Sequence, residues 1–341
     1  MSIGHLYRHS LKARITLFTL LIFVSGIWSL AFYAERMLRR DMQAQLESQQ
    51  FSTVSLLASE VDQDLRTRLR ALESIAAVLS PVLTADPQSL QQALQGRPVF
   101  LDLFNGGAFI TDVHGTVIAS LPESLGRKNL NFLDRDYIHV ALRDGKPTIG
   151  QPVMGRQLRS PILGMGIPIR DANHRVIGAL AGVTNLGEPN FLDRFANAQY
   201  AKTGSYLLVD PRHRLIVTGT PRSRTMEVLP ARGASPILDR FIDGFEGSEV
   251  FVNPIGIRVL ASVKRIAVAD WYAAVALPTE EAFSPIRSLQ QRILLATLAA
   301  ELLASQIAGE PLPLPKDLVR AIDPMRYAHK KTFTEETSNE N

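Results

Sequence analysis

The side chains with the most chemistry to offer are seven histidines, a serine in Gly204-Ser205, and a short charged run, Asp134-Arg135-Asp136-Tyr137. The histidines stand at His5, His9, His114, His139, His174, His213 and His329. Three of them fall in expected turns, and their spacing yields no metal-ligand set, so no metal site is read from them. Ser205 lacks the Gly-x-Ser-x-Gly frame that exposes a nucleophile at a strand-to-helix turn. No Gly-x-Gly-x-x-Gly enters a helix and no Walker loop is present; Gly164-Met-Gly166 reads as close backbone packing beside a strand. The charged run is different in kind. A guanidinium fork grips a carboxylate through two parallel hydrogen bonds, and a phenol joins an apolar face to a polar tip. Flanked by Asp134 and Asp136, Arg135 is also suited to pairing with a neighbouring carboxylate at a helix start.

Composition narrows the chemistry further. With no Cys in 341 residues, disulfide scaffolds, thiolate zinc sites, iron–sulfur clusters and Cys nucleophiles are excluded. The formal charge is +4, from 37 basic and 33 acidic side chains spread thinly along the chain. A nucleic-acid partner needs its basic residues on one face, so none is expected. The reading is of a non-enzymatic protein without a cofactor.

The elements that would position such residues begin with residues 15–34, twenty in a row without a charge. As a helix they span about 30 Å of hydrocarbon. Arg8, Lys12 and Arg14 precede the run, so the positive-inside rule puts the N-terminus in the cytoplasm and the bulk of the chain outside. A cleaved signal peptide has a shorter apolar region, about 7–15 residues, and no small-x-small cleavage site follows here. An uncleaved anchor is expected.

From Glu35 to about Leu79 there is no Gly or Pro, which favours one helix of roughly 68 Å, stopped by Pro81 and Asp86-Pro87. Val54, Ala58, Val61, Leu65, Leu69, Leu72, Ala76 and Leu79 form an apolar stripe along it. The stripe packs on the chain's own domain, or its first half forms a dimer seam at the membrane, and both readings can hold on different segments. Beyond residue 96 the period changes to short apolar runs between turns. Residues 109–120 read as a hairpin turning at His114-Gly115, and residues 207–218 as a second one. The two superimpose at an offset of 98, with Asp112 on Asp210, Val117 on Leu215, Ile118 on Ile216 and Ser120 on Thr218. A third hairpin, 166–178, runs on into strand 179–186; its counterpart is 260–265 with 271–277. Helical pieces are expected at 135–142, 189–201 and 237–245. A period near 100 residues means two copies of one α+β unit.

This order of long helix and two sheet units resembles the double Cache domain of bacterial transmembrane receptors. Asn131-Phe-Leu-Asp-Arg-Asp-Tyr137, Gly145-Lys-Pro-Thr-Ile-Gly150-Gln-Pro-Val-Met-Gly155 and Ile167-Pro-Ile-Arg-Asp171 resemble the membrane-distal, ligand-binding module. Lys202-Thr-Gly-Ser-Tyr-Leu-Leu-Val-Asp210 and Trp271-Tyr-Ala-Ala-Val-Ala-Leu-Pro278 resemble the opening and closing strands of the membrane-proximal one. The resemblance implies an α+β fold of two PAS-like antiparallel-sheet subdomains in tandem. Its expected divisions are 1–34 cytoplasmic N-terminus and transmembrane helix, 35–95 stalk and connector, 96–190 distal and 191–285 proximal subdomain, 286–308 an incomplete second span, and 309–341 a disordered tail.

It also implies a small organic ligand held between the distal sheet and the facing helix and loops, with Arg135 and Tyr137 facing it. Asn185 stands where amino-acid-binding members carry an Asp for the ligand's ammonium group, and Asp136-Tyr137-Ile138 replaces their Trp-Tyr after the matched Arg. Another small anion, such as a carboxylate, is therefore expected, with Arg156 and Ser160 completing the site. The implied protein is a sensor in the bacterial inner membrane with its bulk in the periplasm, dimeric through the stalk. Residues 293–308 are interrupted by Glu301, which costs roughly 2.5–3.5 kcal/mol at a bilayer centre, and no GGDEF, EAL, kinase or methyl-accepting signature follows. The expectation is a truncated receptor whose full-length relatives control cyclic-di-GMP; the alternatives are a scaffold or decoy subunit bound through the stalk, or the sensor of a chemoreceptor or histidine kinase.

Overall fold

The computed structural model describes residues 11–83, 87–97, 99–196 and 200–284. The chain divides into two compact units, Met1–Glu281 and Ala282–Asn341, and every strand among the described residues belongs to the first. The helix and tail expected over 286–341 and the first ten residues lie outside the described residues.

Helix α1 runs unbroken through Leu11–Leu83, 73 residues, or about 110 Å. It passes through Pro81, the expected stop, and ends two residues later. Most side chains of residues 11–34 are not among those described, and among the described residues no helix is long and apolar enough to cross a membrane. The expected anchor falls on that stretch.

The apolar stripe of α1 has one destination. Val54, Val61, Leu65, Leu72 and Leu79 are fully buried, Ala58 and Ala76 nearly so, and Leu69 packs beside them. Their neighbours are Ile110 and Leu180 from one sheet and Leu208, Ala273 and Val275 from the other. Burying the five larger side chains contributes on the order of 10 kcal/mol, far too much to surrender to a dimer. A seam along this stripe is thus corrected: the stripe is the chain's own core. Gln50 fixes the helix lengthwise, its buried Nε2 donating to the carbonyls of Leu260 (3.0 Å) and Val275 (2.8 Å).

The short helices α2 (Pro87–Gln95) and α3 (Val99–Leu103) lead into the first sheet. Its strands are β1 (Ala108–Thr111), β2 (Val117–Leu121), β3 (Thr148–Ile149), β4 (Val153–Met154), β5 (Pro161–Arg170) and β6 (Val176–Asn185). The order is β2-β1-β6-β5-β3, with β4 also on β5, and every pairing is antiparallel. Helix α4 (Asp136–Arg143) lies between β2 and β3 in sequence. After α5 (Asp193–Ala196), within the longer helix expected at 189–201, come β7 (Ser205–Asp210), β8 (Leu215–Gly219), α6 (Pro236–Ile242), β9 (Gly247–Val252), β10 (Arg258–Ile266) and β11 (Trp271–Pro278). The second sheet has the order β8-β7-β11-β10-β9, the same path as the first.

The hairpin turns share a device. Asp112 Oδ1 accepts the backbone N–H groups of His114 and Thr116, both at 2.9 Å, and Asp171 Oδ1 those of Asn173 and Arg175. A carboxylate satisfying the turn's own amides lets the chain reverse. Asp210, at the position of Asp112, does the same for Arg212. The repeat, however, shifts within the turn. Ile110 pairs with Ala119, and Leu208 with Thr218. Val117 exchanges backbone bonds with Leu130 and Asn129, as Ile216 does with Glu227 and Met226. The offset is thus 98 in the first strand and 99 in the second, which corrects the expected match of Val117 with Leu215 to Ile216.

Candidate functional site

The face of the first sheet turned away from α1 has its own core, built from Phe109, Phe132, Tyr137, Ile138, Ala141, Ile162, Ala181 and Val183. Helix α4 lies on it closely because β5 carries glycine where the helix approaches. A Cβ on Gly164 would run into the Tyr137 ring, and one on Gly166 into the Tyr137 carbonyl. Asp136 holds the helix start: its Oδ1 accepts from the Tyr137 N–H (2.8 Å) and its Oδ2 from the Gln151 N–H (2.7 Å). A carboxylate in the first turn also complements the helix dipole.

Between this helix, the sheet and residues 155–158 is a cavity of about 10 Å³ bordered by Phe109, Arg127, Phe132, Tyr137, Arg156 and Leu158. That is room for about one water. Arg127 is 3% exposed. Its Nη2 donates to the Gly106 carbonyl at 2.6 Å, its Cζ sits 5.5 Å from the Phe109 ring centre, and its Nη1 is buried with no hydrogen-bond partner. Burial brings its pKa down to about 10. Tyr137, 1% exposed, is pushed up to about 12 by burial, against the pull of Arg135 and Arg127. An unpaired buried donor is costly. An acceptor entering this cavity would find a guanidinium nitrogen prepared for it.

The five expected ligand residues divide into two groups. Tyr137 and Arg156 border the cavity. Arg156 is held rather than loose: Nη2 to Asp134 Oδ2 at 2.7 Å, Nη1 to the Asn131 carbonyl at 3.0 Å, and its Cζ 5.7 Å from the Phe132 ring centre. Arg135, at the start of α4, does not border it. Its Nε is buried without a hydrogen bond, 3.7 Å from Asp134 Oδ2, and its Nη2 reaches the Met154 carbonyl at 3.4 Å. Ser160 and Asn185 meet each other instead, Oγ to Oδ1 at 2.6 Å, and Asn185 Oδ1 also accepts from the Gly187 N–H at 3.0 Å. Asn105 binds both backbone groups of Asn185, at 2.8 and 3.1 Å. These two residues close the strand end beyond Val183.

Sequence reasoning missed Arg127, Phe109 and Phe132. The alternation along β1 marks Phe109, facing away from Ile110; nothing local marks Arg127, whose burial depends on Gly106 and Phe109, some twenty residues earlier.

Two like-ordered antiparallel sheets on one continuous helix, with a closed cavity on the outer face of the first, define a tandem α+β fold. The chain belongs to the Cache domain family, whose double-Cache model matches residues 34–286. Among solved structures it is similar to the ligand-binding domain of Mlp24 with asparagine (TM-score 0.56, 14% identity, 73% of this chain and 98% of that one). It is similar also to that of the Pseudomonas aeruginosa PAO1 amino acid chemoreceptor PctC with GABA (0.55, 19%, 68% and 100%). A third is the Pseudomonas fluorescens chemoreceptor CtaA with L-serine (0.57, 13%, 70% and 99%). At these identities the likeness is one of fold. A separate match of 32 residues, 75% identical, is to the tRNA 5-methylaminomethyl-2-thiouridine biosynthesis bifunctional protein MnmC of Aromatoleum aromaticum; it takes in 9% of this chain, which spans only 5% of that protein.

Proposed function

We propose that this chain is a non-enzymatic, membrane-anchored sensor that binds a small carboxylate in the cavity between α4 and the first sheet, in a distal subdomain of residues 96–190. The observation that carries this reading is Arg127, whose buried Nη1 faces no acceptor. Arg135 and Arg156 are balanced in number by Asp134 and Asp136, so the charge of Arg127 is left over and favours an anion. The solved neighbours' ligands, asparagine, GABA and L-serine, all carry a carboxylate. Asn185 supplies no negative charge for an ammonium group, which favours a plain carboxylate over an α-amino acid.

A ligand of that size needs far more than the present cavity, so the described state is closed and binding selects an opened one. Residues 155–158 are the mobile wall in this scheme, because the other borders belong to the packed sheet, to α4 and to the buried loop residues Arg127 and Phe132. These residues join β4 to β5, so opening pulls on β5, and β5 rests on α1. The anchor is read from the uncharged run at 15–34, where Phe18, Ile22, Leu30 and Phe32 stand exposed on α1, as lipid-facing residues would. The bulk of the chain is then periplasmic. Dimerisation, with the stripe used internally, is assigned to residues 35–49, where Met37 and Leu38 are exposed, and the output is of the kind found in cyclic-di-GMP receptors, chemoreceptors or histidine kinases.

The test is thermal unfolding of the full chain in lipid nanodiscs with a panel of two- to six-carbon mono- and dicarboxylates and the L-amino acids. A carboxylate at a hundredfold excess over its dissociation constant stabilises by about 2.7 kcal/mol. The expected result is such a stabilisation, absent in Arg127→Met. No stabilisation by any member, together with association with a full-length receptor through the stalk, points to the scaffold reading instead.

A further inference from the structure

We propose a second ligand site, on the outer face of the second sheet, for a molecule with an apolar body and a single hydrogen-bond acceptor. Strands β7, β10 and β11 floor a cavity of about 760 Å³ through Leu207, Val209, Ala261, Val263, Ala274 and Ala276. Small-molecule sites occupy about 300–1,000 Å³, so this one accepts a ligand as it stands, unlike the closed cavity of the first sheet.

The space has a cause in the repeat. Phe109 pairs with Ala181 in the first sheet as Leu207 pairs with Ala274 in the second. By the same register Val183 corresponds to Ala276. The register also sets Ala261 and Val263 where the first sheet has Gly164 and Gly166, so the second face lacks the glycines that let α4 lie closely on the first, and the Phe241 ring of α6 turns to Phe245 and Phe251, 5.9 Å from each.

Among the described residues Tyr272 is the one buried polar side chain lining this cavity, at 6% exposure. It also borders a smaller neighbouring space of about 300 Å³. Its hydroxyl has no hydrogen-bond partner among the described residues, and burial raises its pKa, so it keeps its proton and donates. A hydroxyl left unpaired at a cavity wall is completed by an acceptor. At the rim Arg224 is forked onto Glu227 at 2.7 and 2.9 Å, which leaves its charge already matched. The rest of the rim sets Ile255 and Ile257, exposed by 76% and 44%, beside the polar side chains of Lys202, Thr203 and Asn253. The chemistry on offer is that of a ketone or amide on an aliphatic or aromatic body.

Benzophenone has this form and labels its surroundings under ultraviolet light. With the full chain in lipid nanodiscs, adducts are expected on peptides carrying residues 205–209, 251–263 and 272–276. Tyr272→Phe raises the half-saturating concentration by about 2- to 10-fold, as loss of one hydrogen bond does. Ala274→Phe fills the cavity and removes the labelling; if it fails to fold, Ala276→Leu, at a half-buried position, is used instead. Labelling that is unchanged in a filled variant of wild-type melting temperature overturns the proposal, as do adducts scattered over exposed surfaces. Adducts confined to Phe109 and Tyr137 overturn it too, while leaving the first-sheet reading intact; the carboxylate panel tests that reading separately.

Discussion

Arg135 and Arg156 face the same carboxylate oxygen, Asp134 Oδ2, at 3.7 and 2.7 Å. Asp134 is half exposed, so each pairing is worth no more than about 1 kcal/mol, yet it occupies two guanidinium groups, one of which, that of Arg156, borders the cavity. Asp134→Ala is therefore expected to cost less than about 1 kcal/mol in thermal unfolding while tightening carboxylate binding several-fold by calorimetry. Weaker binding would mean that Asp134 organises the arginines rather than competing for them.

Arg127→Met keeps the length of the side chain and removes the buried charge. Because one of its nitrogens is already unpaired, the variant is expected to lose little stability, within about 1–2 kcal/mol, and to lose carboxylate-induced stabilisation. Chemical denaturation with and without ligand reads both quantities. A large loss of stability alone would make Arg127 a structural residue.

Tyr137 and Arg127 act in opposite directions in alkali. Tyr137 ionises near 10 when unfolded and near 12 when folded, so its contribution is complete below pH 10 and disappears as pH rises to 12. This is on the order of 2–3 kcal/mol. Arg127, lowered from 12.5 to about 10, releases its proton first in the folded state, so stability rises above pH 10. Relative to wild type, Tyr137→Phe is expected to gain stability between pH 10 and 12 in denaturant melts, and Arg127→Met to lose it. Parallel pH profiles for the three proteins would rule this out.

Gly164→Ala adds one methyl group beneath the Tyr137 ring. The expected cost is about 1–3 kcal/mol, seen as a lower melting temperature, with tyrosine near-ultraviolet dichroism changed. An unchanged melt would show that α4 lifts freely from β5.

Gln50→Ala strips the Leu260 and Val275 carbonyls of their shared donor. A loss of roughly 1–3 kcal/mol is expected, with faster amide hydrogen exchange in β10 and β11. Exchange unaltered in those strands would mean that apolar packing alone seats α1.

Much of this fold was legible from period and punctuation. The stripe from Val54 to Leu79 marked α1, and the hairpins read at 109–120, 166–178 and 207–218 have turns that the structure builds on Asp112, Asp171 and Asp210. What escaped has physical reasons. Strand β9, Gly247-Ser-Glu-Val-Phe-Val252, is half-buried along its length and shows no alternation. A stripe does not announce what covers it, so the choice between own sheets and a second chain was open. Leu215, Ile216 and Val217 are alike in kind, so a one-residue insertion in the turn left no trace in the pattern. Tyr137 and Arg156 came from a family likeness, whereas Arg127 is recognisable only once Gly106 is folded beside it.

Helix α1 contains neither Gly nor Pro from Glu35 to Ser80, and kinks concentrate at such residues. It therefore has no joint in which a twist could be absorbed. Rotating it about its axis would have to unseat Val54 and Val61 from the core shared with the second sheet and break both Gln50 bonds, to Leu260 and Val275. Gly26 is the next place at which it can yield.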